Sequence, residues 1–263
     1  MNFKKATTFE ILKLKAYVLK NRLKQTKRDL KLINADYDTG YWSTFNIENF
    51  PFGSLMNLEV NNEIEIYQIN NDFYKIPRKI FLDLYEKRIL ELFEHNVEKN
   101  SPVVELGSGI GNILFFLWKS GYRNLEGFDL SNTGICIAKD IAKKFNCDIE
   151  FSTLNIVEDI RKNQFNDKTI FTYVCLEQLS NYMDQVLENI INSRPQKVIN
   201  FEFSINNSTK LARDYHKTRD YQTNLYPKLL DLQKNNLIKI ISTQPVGYGR
   251  PLVPLTCICW KPL

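Results

Sequence analysis

The sequence predicts an α/β fold in which an open, largely parallel sheet is covered by helices on both faces. Three observations carry this. From Pro102 onward, short apolar runs alternate with helical patterns at close spacing. Val103 and Val104 in the first run read as buried-strand residues, as in a sheet covered on both faces. The first of them runs into a glycine-rich turn that opens a helix.

In chain order, a strand over 102–106 precedes a helix over 112–120. A strand over 124–130 precedes a helix over 133–145, and a third strand covers 148–153. A strand over 170–176 leads to a helix over 182–192. A fifth strand spans 197–203, and a helix over 222–234 follows it. The last two strands, 237–243 and 255–260, are joined by Gln244-Pro245-Val246-Gly247-Tyr248-Gly249-Arg250-Pro251 without a helix. Strands joined that way pair antiparallel. The expectation is a mostly parallel seven-stranded sheet with an antiparallel last strand, in a domain spanning 98–263.

Residues 1–97 read as an appendage of different texture. Thr7 and Glu10 are spaced as a capping box. Phe9, Leu12, Ala16, Leu19 and Leu23 then recur as one apolar stripe, expected to pack on the main domain. Lys13, Lys20, Lys24, Lys27 and Arg28 lie mostly off it, as on a solvated face. An aromatic stretch with Tyr37, Tyr41 and Trp42 surrounds Gly40, a turn residue. A short strand over 63–67 and a helix over 78–94 complete the appendage.

Composition sets wide bounds. The chain has 263 residues, 43% of them hydrophobic, enough for a sizeable core. A formal charge of +5 permits anionic partners without requiring them. Five cysteines without a CxxC point to buried free thiols and a reducing, cytoplasmic setting. No signal peptide, transmembrane run or metal-ligand spacing is read, so the expectations are metal independence and no stable membrane insertion.

The chemistry concentrates in the domain over 98–263. In Val103-Val104-Glu105-Leu106-Gly107-Ser108-Gly109-Ile110-Gly111-Asn112, Gly107, Ser108, Gly109 and Gly111 allow a sharp turn and close approach to a ligand, and the helix that follows offers free N–H groups. The spacing is GxGxG, and Glu105 precedes it. A carboxylate there repels phosphate but suits a cationic amino-acid tail. Asp129 lies 22 residues after Gly107, at the end of the second strand, where a carboxylate accepts ribose hydroxyls.

Glu105-Leu106-Gly107-Ser108-Gly109-Ile110-Gly111-Asn112 resembles motif I of class I S-adenosylmethionine-dependent methyltransferases. The resemblance covers residues 98–263 and implies a Rossmann-like fold with S-adenosylmethionine as cofactor and S-adenosylhomocysteine as product. It implies that Glu105 and the glycine loop face the methionine part and Asp129 the ribose. Asn155 stands where the family commonly has an Asp for the adenine amino group, and is read as either an adenine contact or a turn residue. Leu130, Ile156 and Leu176 are assigned to the same cofactor site. Glu177-Gln178 matches the motif IV region, where related small-molecule enzymes often have Glu-His. The Asp/Asn-Pro-Pro-aromatic tetrapeptide of amino-methyltransferases acting on adenine or glutamine is absent, which argues against those enzymes and against DNA. More narrowly, the chain resembles small methyltransferases encoded in bacterial surface-polysaccharide (capsule) gene clusters. That implies methylation of an oxygen of a sugar, nucleotide-linked or phosphorylated metabolite.

An oxygen acceptor calls for a general base. His216, in a polar aromatic segment after the fifth strand, and Glu177 are the candidates, with Glu202 a rival. Tyr37, Tyr41 and Trp42 are candidates for a lid over the site. Gln178, Tyr215, Arg219 and Arg250 are the remaining candidate substrate residues, the arginines suiting a phosphate or carboxylate. Two other readings stay open: an RNA or protein methyltransferase using the basic first helix, and a non-catalytic subunit of the same fold.

Overall fold

The computed structural model describes residues 3–22, 27–55 and 61–263. Its strands are β1 (Lys4–Lys5), β2 (Ile64–Ile69), β3 (Asp72–Pro77), β4 (Val103–Leu106), β5 (Leu125–Asp129), β6 (Ile149–Thr153), β7 (Thr169–Tyr173), β8 (Lys197–Phe203), β9 (Ile238–Pro245), β10 (Tyr248–Gly249) and β11 (Leu255–Pro262). Its α-helices are α1 (Thr8–Arg22), α2 (Leu30–Asn34), α3 (Arg78–Glu94), α4 (Asn112–Lys119), α5 (Asn132–Lys144), α6 (Met183–Asn192), α7 (Lys210–Thr218) and α8 (Leu225–Lys234).

The main sheet has the order β6-β5-β4-β7-β8-β11-β9. Strands β6 through β8 run parallel, and β11 is antiparallel to both β8 and β9. Successive strand residues serve opposite faces. Val103 thus joins a core with Phe93 and Phe115, while Val104 and Leu106 join a second core with Val186 and Ile190. The order reverses beside β4, whose neighbours β5 and β7 lie on either side. Open α/β sheets bind ligands beyond the carboxyl ends of the strands at such a switch point.

A second sheet, β1-β3-β2-β10, has an unexpected composition. The sequence reading found β2 and missed β3, although Asn70-Asn71 marks the turn between them and Asn70 adopts φ 54°. The fourth strand, β10, comes from the loop joining β9 to β11 and pairs with β2 through Tyr248–Ile69 and Gly249–Gln68. Tyr67 stacks on Phe81 of α3 with centroids 3.6 Å apart. The hairpin is therefore fastened both to α3 and to the loop after β9.

The first helix corrects the apolar-stripe expectation. The capping box forms, with the Thr7 amide donating to Glu10 at 2.8 Å and the Glu10 amide to Thr7 Oγ1 at 3.3 Å. Yet Phe9, Leu12, Ala16 and Leu19 face outward, and Val18 is buried. Leu23 and Lys24 lie outside the described residues. The reason is the neighbour: α1 packs on α7, and Tyr17 stacks on Tyr215 at 6.2 Å. Helix α7 forms in the polar aromatic segment after the fifth strand, where the sequence reading places no helix. Helix α8 starts three residues later than expected because Gln222 Oε1 accepts the Leu225 amide at 2.9 Å, which makes Gln222 a side-chain cap rather than a helical residue. Arg28 corrects the solvated-face reading too, since it is buried. All five cysteines are free. Among the described residues, no helix is long and apolar enough to cross a membrane.

Substitution on α1 separates its two faces. Leu12→Glu and Leu19→Glu are expected to change unfolding free energy by no more than about 0.5 kcal/mol, whereas Val18→Asp costs about 2 kcal/mol or more. Equal destabilisation by all three in urea unfolding would contradict this placement of the helix.

Candidate active site

Two adjoining cavities open at the carboxyl ends of β4, β5 and β7. The first, about 260 Å³, is walled by the glycine loop, Glu105, Asp129, Leu130, Asn155 and Ile156. The second, about 550 Å³, is walled by Arg28, Tyr85, Glu177, Arg219, Tyr221 and Arg250 among others. Tyr37, Trp42, Leu55, Asn112, Tyr173 and Val174 line both and form their junction.

The glycine loop is shaped by what it touches. Gly107, Gly109 and Gly111 adopt φ of 79°, 53° and 85°, a region that favours glycine. A Cβ at Gly107 would fall 2.1 Å from Cys175 Sγ, and one at Gly109 would fall 2.9 Å from the Trp42 ring. The loop amides are anchored to β5: Gly107 and Ser108 donate to the Phe128 carbonyl at 2.7 and 2.9 Å. Asp129 accepts from the Gly109 amide at 2.7 Å and the Ser131 amide at 2.8 Å. Burial nevertheless raises its pKa against those donors.

Glu105 is 1% exposed, and its Oε2 has no hydrogen-bond partner. Burial, reinforced by the charge of Asp129, pushes its pKa well above the carboxylate range. A group in this state is stable as a neutral acid or beside a cation. Ser108 Oγ and Asn112 Oδ1 are also buried without partners in the same cleft wall.

The lid expectation concerns residues 35–44, which form a π-helical turn followed by a 3₁₀ turn. Asp38 Oδ1 accepts from Ser131 Oγ at 2.7 Å and from the Thr133 amide at 2.8 Å. Ser131 caps α5 through the Gly134 amide at 2.9 Å, so Asp38 extends the cap of a helix in the main domain. Those donors hold the Asp38 carboxyl below its usual pKa. Trp42 lies over Gly109 and Gly134. From Trp42 a run of edge-on aromatic contacts passes through Phe45 and Phe50 to Phe115 of α4. The same aromatics thus cover the cleft and fasten the N-terminal segment.

The segment after β7 is strained and braced. Val174 has φ 53°, an outlier for a β-branched residue. Glu202, on β8, accepts the Cys175 and Leu176 amides at 3.0 Å each. Glu177 is 5% exposed with Oε2 unpartnered, and burial followed by the nearby Glu202 charge pushes its pKa well up. Gln178 accepts from Arg28 Nη2 at 2.8 Å through Oε1 and donates to the Tyr37 hydroxyl through Nε2. At the junction, the hydroxyls of Tyr85 and Tyr173 lie 2.6 Å apart.

The remaining expected residues fall as follows. Leu130 and Ile156 line the first cavity. Asn155 lines it too, while its amide accepts from the Val157 amide and donates to Glu158, both at 3.0 Å. Leu176 is fully buried in the core and lines neither cavity. Tyr41, Arg219 and Arg250 line the second cavity, and Tyr215 sits behind it against Tyr221. His216 lies on the inner side of α7, stacked on Phe203 at 3.6 Å, with no exposed surface. It lines neither cavity, and burial lowers its pKa to about 4. The sequence reading missed Arg28, Tyr85, Tyr173, Tyr221 and Asp38. Tyr173 had a usable signal, its position at the carboxyl end of a strand inside the sheet; Tyr85 lies on α3, where an aromatic reads as core, and Arg28, Asp38 and Tyr221 come from segments without a periodic pattern. Among the described residues there is no group of three or more metal-ligating side chains.

The PH0226 protein of Pyrococcus horikoshii OT3 superposes with a TM-score of 0.55 at 14% identity, covering 67% of this chain and 89% of that one. The magnesium protoporphyrin IX methyltransferase of Synechocystis PCC 6803, solved with bound S-adenosylhomocysteine, gives 0.53 at 12% identity over 71% and 87%. The fold is the Rossmann-like methyltransferase fold. The [4+2]-cyclase SpnF also superposes, at 0.53 and 10% identity over 69% and 81%, so the methyltransferase fold alone does not name a reaction. No family model and no curated protein matches the sequence.

The buried carboxyls make a pH signature. Burial raises Glu202 from 4.5 to about 7. The folded state then holds a proton that the unfolded chain releases, so stability falls as pH rises between those values. Glu202→Gln removes this loss, and its stability relative to wild type should climb with pH by up to about 1.4 kcal/mol per unit across that window. Denaturant unfolding at pH 5, 6 and 7 measures it; parallel curves would contradict the burial of an ionisable group there.

Proposed function

We propose that the protein is an S-adenosylmethionine-dependent methyltransferase acting on a small-molecule hydroxyl. The observation that carries this is Glu105: a buried carboxyl with an orphaned oxygen, beside a three-glycine loop and a second carboxyl on the next strand. The donor set fits the cofactor. Glu105 would accept from the α-ammonium of the methionine part, Asp129 from the ribose hydroxyls, and Ser108 and Asn112 would find partners for their orphaned atoms. Leu130, Ile156 and Trp42 offer apolar walls.

When bound, the cofactor supplies an electrophilic methyl group on a sulfonium. The chain's own residues then have three tasks. The lid over 35–44 excludes water through Tyr37 and Trp42. The junction between the cavities, with Tyr85 and Tyr173, orients the acceptor oxygen toward the cofactor cleft. Glu177 accepts the acceptor's proton, and the carboxyl's raised pKa makes it a stronger base once ionised. Glu202 positions the loop that carries Glu177. His216 has no part in this scheme because it reaches neither cavity. A sugar, nucleotide-linked or phosphorylated metabolite of surface-polysaccharide synthesis is the acceptor we favour, supported by the polar and basic wall of the larger cavity.

Calorimetric titration with S-adenosylhomocysteine tests the cofactor reading. Wild type should bind, and Glu105→Gln should bind at least about tenfold more weakly, the value of a hydrogen bond to a charged group. An absence of binding by the wild type would sink the reading. Transfer of a labelled methyl to a panel of sugars, sugar nucleotides and phosphorylated metabolites tests the acceptor. Glu177→Gln should lower that rate by about 10²–10⁴ while leaving cofactor affinity intact, and should abolish the rise of rate with pH expected above the ordinary carboxylate range.

A further inference from the structure

Arg28 and Arg219 come from distant parts of the chain and flank the same ring. Their guanidinium carbons lie 5.6 and 5.4 Å from the centroid of Tyr221. All three residues line the larger cavity. The Arg28 side chain is only 6% exposed. Its Nη2 meets Gln178 Oε1 at 2.8 Å and Asp36 Oδ2 at 3.1 Å, and its backbone amide donates to Asp220 at 3.0 Å. Its Nε is buried and unpartnered, and so is the Nε of Arg219, whose Nη2 donates to the Tyr221 hydroxyl at 3.3 Å.

Two like charges held against one ring repel, and burying each orphaned N–H costs further stability. The acidic groups around them offset this only in part. Asp36, which pairs with Arg28 at 3.1 Å, is itself about half exposed. Glu177 faces both arginines but is a buried carboxyl. A third guanidinium, that of Arg250, lines the same cavity. A structure that keeps cations in this arrangement gains when an anion enters between them, because guanidinium forks match the oxygens of carboxylate and phosphate.

We infer that Arg28 and Arg219 form an oxyanion subsite that binds a carboxylate or phosphate group of a ring-bearing acceptor. This rests on the proposed methyl-transfer reading and sharpens its acceptor class. Tyr221, Tyr41, Tyr85 and Trp42 surround the rest of the chamber with flat apolar surface suited to a ring. Gln178 ties Arg28 to Tyr37 of the lid, so a group seated on Arg28 also bears on the segment that covers the cofactor cleft.

The test uses the full chain and calorimetry with phenyl phosphate, benzoate and, as an uncharged control, phenyl glucoside. Either anion should bind, with the control at least tenfold weaker; the ratio of the two anions tells phosphate from carboxylate. Arg28→Gln and Arg219→Gln should each weaken the preferred anion by at least tenfold, and Arg28→Lys, which keeps charge but loses the fork, by a smaller factor. S-adenosylhomocysteine affinity of Arg219→Gln should stay within twofold of wild type, as a fold control. If Arg28→Gln does not fold, Arg28→Lys and Arg219→Gln decide. Wild type binding neither anion, or both folded variants binding as wild type does, would overturn the subsite. The anion titrations are run with and without S-adenosylhomocysteine, so a failure of cofactor binding is seen separately and counts against the methyltransferase reading alone.

Discussion

Glu105, the third residue of β4 within the main sheet, has an Oε2 without a hydrogen-bond partner. An uncompensated carboxyl in that position works against the fold, which would be steadier with an apolar residue there. It is bearable because the sheet around it is strong. Val103, Val104 and Leu106 are each no more than 1% exposed, and parallel strands flank β4 on both sides. The sheet's two apolar faces therefore support a polar edge at its carboxyl end. Asp129, Glu177 and Glu202 cluster at the same edge, each with a pKa raised by burial. Concentrating cost at one edge of an otherwise ordinary core is what a pre-organised site requires.

The second dependence is mechanical. Residues 35–44 are joined to the helices of the main sheet by a charge at a helix terminus, Asp38 on α5, and by an aromatic sequence from Trp42 to Phe115 of α4. Both contacts reach elements beside the first cavity. Gly109 and Gly134 can have no larger side chain without displacing Trp42. The close approach of the glycine loop thus serves the packing of Trp42. Val174 adds to this: its left-handed backbone turns the chain between the two cavities, and Glu202 braces the amides that follow.

These features divide by how far they could be read from residues alone. The main sheet was readable because short strand runs alternate with helices at a close spacing, an order that admits few topologies. Helix α3 was read to its observed limits, Arg78–Glu94. Helix α1 shows the limit of periodicity: its stripe at Phe9, Leu12, Ala16 and Leu19 is real, yet the face that packs is set by α7 and Tyr215, which the pattern cannot see. In the site, the glycine loop and Asp129 were readable because their backbone demands are local. Arg28 was not. It sits in a basic stretch that resembles a solvated face, and only the long-range contacts with Gln178, Asp220 and Tyr221 turn it inward.

The two cavities draw on the same division. The first is walled largely by strand ends and the turns attached to them, with α2, Tyr37, Trp42 and Leu55 closing it. The second combines residues 28–42, the loop joining β9 to β11, the strained turn after β7 and the segment after α7 with Tyr85 of α3, Asn112 of α4, Tyr173 of β7 and Leu255 of β11. The loops and turns among these are not needed to complete the sheet, and their polar groups converge on a shared space. Those segments are held in place by isolated contacts such as Gln178 to Tyr37 and Arg28. A sheet of this kind keeps its core when such contacts change, which is why the fold alone does not name a reaction.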